Sequence, residues 1–577
     1  MVQKNILAAL LIFGIFMLIP RYMEMIGMGE QEPQTTSLSE NDNNKAVPVE
    51  AENSSVVSKI PASSSSSGAL VDIITIETPL YRAEISNQSG GSIVSYELLD
   101  VDGDEYRYLG SYNSIGEYDS NQNVVLMHNF NPSQPKCSPC LASEEGGQFV
   151  QLTQPFDVLP SPELSNGVLR VASGETKKIT YIGNGVEKVL TVSGSSYEML
   201  HQFNYDLSSS TGVEVVWSAG LFPSEPSIHP SKSYSSDELT YSSVYGYQGG
   251  GLESITQSSQ ADVPEKLFNQ PTEWVAMRTK FFGAVLIPSK QADYIKLSSK
   301  NLLFRGQDDI LPLYSAALGG YGSRGSINVK TYLGPLDVEH VDILTEDSSV
   351  SSIMNFGWSI IKPFSRLVLW TIKSLHNTLG LNYGIVLIVI AVLMRFITGP
   401  LTKKSYESSA KMKVVAPLQK KIQEKHKNDP QKLQQEMGKL WKEHGVNPVS
   451  GCLPMLVQWP ILMSFFIVFR STIEFRGASF FGWITDLSQP DYLFALPFEI
   501  PLYGGAVAIL PILMGISMFL TMRITMASTD DTQKTFMYFM NGFFILIFNS
   551  FPSGLTLYYT IFNFLSYQQQ ISIKNSK

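Results

Sequence analysis

At 577 residues the chain is too long for one ordinary domain and long enough to bury a sizeable core. Only 16% of its residues are charged and the mean hydropathy is +0.03, which places part of the chain in lipid and excludes a disordered or collagen-like protein. The net charge of −10 divides unevenly: residues 1–350 carry 21 basic and 41 acidic side chains and residues 351–577 carry 21 and 11, so the two parts are expected to face different surroundings.

Residues 6–19 are apolar, behind Lys4 and ahead of Pro20 and Arg21. The bulky, charged residues 20–24 offer no small-residue cleavage site, so 1–28 reads as an uncleaved transmembrane signal anchor. Residues 29–69 turn to Ser, Asn, Glu and Pro, with five consecutive serines at 63–67, and are expected to be a disordered linker. From 70 to 345 short alternating runs recur at 71–78, 81–85, 179–182, 186–192, 213–217, 294–297 and 327–332, with Gly and Ser clusters between them. That pattern predicts a large antiparallel β-sandwich outside the cytoplasm. Cys137 and Cys140 stand in Lys-Cys-Ser-Pro-Cys. A small loop-closing disulfide is preferred there over redox catalysis or half a zinc site, because no second pair of ligands follows.

At 353–381 the period becomes helical, with Phe364, Leu367, Val368, Ile372, Leu375 and Leu379 on one face and Lys362, Arg366 and Lys373 on the other. This predicts an amphipathic helix at a membrane interface, the alternative being a helix packed on the sandwich. Five apolar segments follow, at 383–398, 453–469, 506–522, 537–551 and 554–567, which with the anchor make six transmembrane helices. The 402–452 loop holds 11 Lys against 5 acidic residues and is therefore assigned to the cytoplasm, with both termini, leaving 29–345 outside. The segments, of 14 to 17 residues, are short for a bilayer that needs roughly 20. Flanking residues extend them, or the bilayer thins around them.

Polar residues inside these spans carry the functional information. Arg395 follows twelve mostly apolar residues, about 18 Å into the span at 1.5 Å per residue. In the last span Thr556, Tyr559, Asn563 and Ser566 recur at spacings of 3, 4 and 3, one polar stripe on an apolar helix. Together with Gln458, Asn541 and Asn549 they suggest a wet cavity around Arg395, against the simpler readings of interhelical hydrogen bonding and of an arginine reaching the headgroups. The 402–452 loop reads as a helical hairpin. Met412, Val415, Leu418 and Ile422 mark its first helix, Asp429-Pro430 caps the second, and Leu433, Met437, Leu440 and Trp441 mark that one, while Lys420 and Lys421, in the first, belong to the charged face of the hairpin.

Three stretches carry a resemblance. Met394-Arg395-Phe396-Ile397-Thr398-Gly399-Pro400-Leu401-Thr402, Asn447-Pro448-Val449-Ser450-Gly451-Cys452-Leu453-Pro454-Met455-Leu456-Val457-Gln458-Trp459-Pro460 and Phe551-Pro552-Ser553-Gly554-Leu555-Thr556-Leu557-Tyr558-Tyr559 resemble, in order, the motifs of the YidC membrane protein insertases. The resemblance covers about 353–570, and Trp274-Val275-Ala276-Met277 with Tyr332-Leu333-Gly334-Pro335 is similar to the periplasmic domain of the Gram-negative branch. It implies an inner-membrane protein with a five-helix core at 383–570 and a groove open to cytoplasm and lipid, in which Arg395 and Tyr559 match the family's arginine and tyrosine. Gln458, Thr556 and Asn563 are expected in the same groove. Ala391 stands where the family often has threonine, and the closing Ile573-Lys574-Asn575-Ser576-Lys577 lacks the long basic tail with which some members reach the ribosome.

The implied function is insertion and folding of membrane proteins, alone or with the Sec translocon. The implied partners are nascent membrane proteins, ribosome–nascent chain complexes, that translocon and lipids, with no specific nucleic acid. Gly-x-x-x-x-Gly-Lys-Ser/Thr occurs nowhere, and no catalytic residue, cofactor or metal site is expected. The rivals are a secondary transporter with Arg395 as an anion site, which internal repeats would have favoured, and a carbohydrate-binding or sugar-processing sandwich.

Overall fold

The computed structural model describes residues 71–575, apart from 103–104, 114–115, 129–135, 227–235, 257–261, 304–309, 427–428, 446–452, 501–502 and 526–530. The expected signal anchor (1–28) and linker (29–69) therefore lie outside the described residues. The chain divides into two compact units, one β-rich and ending at Ile353, the other helical and running from Met354.

The β-rich unit contains a nine-stranded, a six-stranded and a five-stranded sheet. Pairing is antiparallel throughout these three except where Ile73–Glu77 runs parallel to Val168–Arg170. In Val186–Ser193 every second side chain is buried, as a strand with one face on a core requires. The hairpin that joins it to Thr176–Gly183 closes through Asn184 and Gly185, both at positive φ (52° and 72°), the combination that a two-residue turn matched to strand twist demands. The nine- and six-stranded sheets meet where Gly246 faces Ile295: a Cβ at Gly246 would stand 2.0 Å from the Ile295 Cδ1, so only glycine admits this approach. The five-stranded sheet packs on the nine-stranded one through Tyr96, whose hydroxyl donates to the Leu333 carbonyl at 3.0 Å. The large, mostly antiparallel β-sandwich expected is thus built from three sheets packed on one another.

Lys188 interrupts the apolar inner face of its strand. Its Nζ donates to the carbonyls of Gly91 (2.7 Å) and Pro139 (2.8 Å) and lies 5.0 Å from the Phe203 ring centroid. Complete burial pushes this amine well below its usual range. Nearby, Cys137 and Cys140 are joined by a disulfide buried among Ala142, Val216 and Ala317.

The helical unit comprises α1 (Lys362–Leu379), α2 (Tyr383–Lys425), α3 (Pro430–Glu443), α4 (Leu453–Ser471), α5 (Leu510–Thr525), α6 (Asp531–Phe548) and α7 (Ser553–Asn575). Gly380, at φ 60°, ends α1, and the Asn382 side chain accepts from Gly384 N at 2.8 Å to start α2. α7 packs on α5 and α2, α1 on α4 and α2, α6 on α5, and α3 on α2. At the α5–α6 contact a Cβ on Gly515 would stand 2.3 Å from Ile545, so the small residue lets the helices close.

Three expectations need correction. The 383–398 span and the first hairpin helix are one continuous 43-residue helix, α2, with Pro400 and Pro417 inside it. Residues 506–508, placed in a span, belong to a β-hairpin of Tyr492–Ile500 with Gly504–Ala508, and α5 starts only at Leu510. The last helix does not stop at 567 but continues to Asn575. Among the described residues one stretch, Tyr383–Lys403, is long and apolar enough to cross a membrane by itself. Trp459–Ser471, Leu510–Ile524 and Met537–Phe548 are shorter apolar helices.

Candidate functional site

Arg395 lies on α2, half-buried, where that helix crosses α7. Its Nη2 donates to the Gln569 Oε1, and its guanidinium carbon stands 5.7 Å from the Phe562 ring centroid. The Nε of Arg395 is buried without a hydrogen-bond partner among the described residues. No carboxylate pairs with this arginine there either, so its internal partners are a neutral amide and an aromatic face.

The polar residues of the α7 stripe have separate surroundings. Thr556 is buried and its hydroxyl bonds back to the Ser553 carbonyl (3.1 Å), while Ser566 bonds to the Phe562 carbonyl (2.7 Å), so both hydroxyls serve their own helix. Asn563 contributes its main-chain carbonyl, which accepts from Thr521 Oγ1 on α5 at 3.3 Å. Tyr559 is buried near Phe548, and its hydroxyl has no partner among the described residues. Ten residues separate Tyr559 from Gln569, about 15 Å along the helix axis, and no hydrogen bond among the described residues joins Arg395 to Tyr559. The side chain of Gln458 lies outside the described residues.

Among the described residues Asn541 and Asn549 bond to neighbouring backbone and not to Arg395. The Asn541 Nδ2 donates to the Gly515 carbonyl on α5 (3.3 Å). Asn549 donates to the carbonyls of Tyr503 and Ala506 (2.7 Å each) and accepts from Ala508 N (3.0 Å). Both amides are interhelical or helix-to-hairpin ties, the reading set aside at the sequence level. Gln569 is the residue that sequence reasoning missed. The stripe at 556, 559, 563 and 566 continues with the same spacing to Gln570, which is buried, and Gln569 is its neighbour, both beyond the apolar stretch that ends at 567.

In the hairpin, the Asp429 Oδ1 accepts from Lys432 N at 3.1 Å with Pro430 at the first helical position, so α3 starts where Asp-Pro directs. Val415 on α2 and Leu440 on α3 are buried together, with Ile422 against them. Leu433 is half-buried, and Lys420 and Lys421 are exposed. The β-rich unit has a cleft of about 750 Å³ lined by Lys136, Lys296 and Lys300 but also by Asp262 and Glu265, a mixed-charge surface. Among the described residues no group of three His, Cys, Asp or Glu is placed to hold a metal.

Comparison with known proteins decides the family. Residues 374–577 match the family described as 60Kd inner membrane protein, and residues 175–367 match the YidC periplasmic domain. The membrane protein insertase YidC of Chlorobaculum parvum is 30% identical over 590 aligned positions, covering 99% of this chain and 93% of that one. The chain belongs to the YidC family of membrane protein insertases. The YidC of Prosthecochloris aestuarii is 36% identical over 66% of this chain and 64% of that protein's length. A crystal structure described as an active YidC insertase with its first transmembrane domain resolved aligns at 18% identity over 87% of this chain and 95% of its own, with a TM-score of 0.32. A putative aldose 1-epimerase from Escherichia coli aligns at 8% identity over 46% of this chain and 99% of its own, with a TM-score of 0.23. At these scores neither structural likeness bears on the fold. As a YidC family member the chain is an inner membrane protein with a periplasmic domain.

Proposed function

We propose that the chain inserts and folds membrane proteins by letting polar substrate segments travel part-way across the bilayer beside α2 and α7. The observation that carries this reading is Arg395, a guanidinium inside an apolar span whose internal partners are Gln569 and Phe562. A charge in that position attracts an acidic or polar segment of a nascent chain, and the segment avoids bare hydrocarbon, where an unpaired charge costs several kcal/mol. Gln458, Thr556, Tyr559 and Asn563 complete the path in this reading. Apolar substrate segments then leave sideways past the short helices α5 and α6 into lipid, and transfer at about 0.8 kcal/mol per CH₂ supplies the driving force. Nothing is hydrolysed.

In the arrangement we propose, the 1–28 anchor, α2, α4, α5, α6 and α7 are six spans, with both termini and the 402–452 hairpin in the cytoplasm and 29–345 in the periplasm. The 353–381 segment lies at the outer interface, which accounts for the exposed Phe364, Leu367 and Trp370 on α1. The hairpin faces ribosome–nascent chain complexes, and the Sec translocon is a partner for substrates with large translocated domains. Photocrosslinking from Tyr559 and from Gln569 to a nascent membrane protein during synthesis tests the path. Adducts from both positions are expected, and adducts from neither would overturn it.

A further inference from the structure

The segment between α4 and α5 has a fixed inner side and a free apolar outer side. Asp491, buried, accepts from Trp483 Nε1 (3.0 Å), Ile509 N (3.1 Å) and Leu510 N (2.8 Å), which fastens the base of the 492–508 hairpin to the start of α5. Asn549, fully buried at the end of α6, holds the second strand of the hairpin by its three hydrogen bonds. On the other side Phe481, Leu493, Phe494 and Phe498 are 53–71% exposed, and Trp483, in the same turn as Phe481, is 38% exposed. Glu499 is the one charged residue between 492 and 508, and Asp486 the one between 477 and 490.

We propose that this hairpin and the 481–483 turn form a lipid anchor in the boundary between headgroups and acyl chains of the outer leaflet. The inference rests on the spans and orientation given above, which put the ends of α4 and α5 joined by this segment at the outer surface. The hairpin is continuous with those spans and fastened at both strands, so its aromatic face stays at bilayer level. The face has almost no charged side chains with which to select a protein partner, and it adjoins the spans, which favours lipid as its occupant. The depth is limited by the backbone. A two-stranded sheet has edge N–H and C=O groups that hydrocarbon leaves unsatisfied and that headgroups and interfacial water satisfy. Phe, Leu and Trp without basic residues also suit the interface of either zwitterionic or anionic lipid, so the anchor is hydrophobic and insensitive to headgroup charge.

The test uses the full chain with Cys452→Ser, reconstituted in phosphatidylethanolamine–phosphatidylglycerol bilayers and spin-labelled singly at Leu493→Cys, Phe494→Cys or Phe498→Cys. Controls are Phe396→Cys on the lipid-facing side of α2 and Glu163→Cys on the surface of the β-rich unit. The ratio of collision with oxygen to collision with a water-soluble nickel chelate is read at each site. A ratio at 493, 494 and 498 severalfold above that at 163, and approaching that at 396, is the expected result. Ratios equal to that at 163 would put the hairpin in water and overturn the proposal. Immobilised labels shielded from both reagents would overturn it too, in favour of a protein partner or a second copy. An aqueous reading at 396 would instead refute the spanning arrangement, so the two failures are distinguishable.

Discussion

Arg395→Ala removes a positive charge from the α2–α7 crossing and leaves Gln569 without its donor. A guanidinium and a substrate carboxylate about 8 Å apart attract by about 2 kcal/mol at an effective dielectric of about 20, and losing that is roughly a 30-fold change in rate. Insertion into proteoliposomes of two matched substrates, one with acidic residues in its translocated segment and one with none, should therefore slow by about that factor for the first and little for the second. Arg395→Lys keeps the charge and should retain most of the rate. Gln569→Glu sets a carboxylate against the guanidinium, neutralises it in place, and should copy the Arg395→Ala selectivity loss while preserving the helix contact. Gln569→Leu leaves the charge and removes its competitor, so acidic substrates should insert no more slowly than with the parent. If Arg395→Ala inserts both substrates at the parent rate, the arginine only reaches the headgroups and the electrostatic path is wrong.

Other outcomes follow from the same structure. Leu440→Asp puts a carboxylate against Val415 at a cost of at least about 2 kcal/mol, so insertion kinetics should suffer more from it than from changing Lys420, Lys421, Lys425 and Lys427 together to Gln; a larger, salt-sensitive defect in the lysine set would reverse that ranking. Replacing both Cys137 and Cys140 with Ala opens a four-residue loop and should cost about 2 kcal/mol in denaturant unfolding of the β-rich unit without changing insertion; finding both thiols free by mass spectrometry of periplasm-exposed protein would contradict the disulfide. Burial, with Glu225 beside it, pushes the Glu238 carboxyl up to about 7. A folded-state value above the unfolded one means that the folded form holds the extra proton. Glu238 therefore favours folding at acid pH, and that contribution is lost as pH rises through about 7. Thermal unfolding at constant salt should show the parent losing stability relative to Glu238→Gln as pH rises from about 4.5 to about 7, and a parent-minus-variant difference that stays flat across that range would refute the assignment.

Much of the architecture was legible because it depends on local periodicity. Alternation marked Val186–Ser193, and Asp429-Pro430 marked the start of α3, since a cap and a fixed φ act within a few residues. The continuity of α2 was not legible, because proline at 400 argues for a break, whereas the helix runs on through it with Gly399 set against Gln569 of α7. Residues 506–508 are apolar whether they finish a strand or begin a helix, and the arbiters were Asn549 and the register with Tyr492–Ile500. The Arg395–Gln569 contact has no sequence spacing at all. It is set by where two helices cross, 174 residues apart in the chain.

The unbroken α2 has a mechanical consequence. Forty-three residues at 1.5 Å each make a rod about 65 Å long, with Arg395 in its apolar part and the hairpin tip at its far end. Pro400 frees the carbonyl four residues earlier, and Thr398 and Thr402, on either side of it, each bond back to the preceding turn (2.7 and 3.0 Å), which together make this a soft joint of the rod, as Pro417 makes another nearer the tip. The 25 residues beyond Pro400 form an arm about 38 Å long, so a bend of only about 10° there sweeps the tip through roughly 7 Å. A push on the hairpin at one end is thereby geared down to a small tilt at the other. The crossing with α7 shifts by a fraction of an ångström to an ångström while the tip moves several.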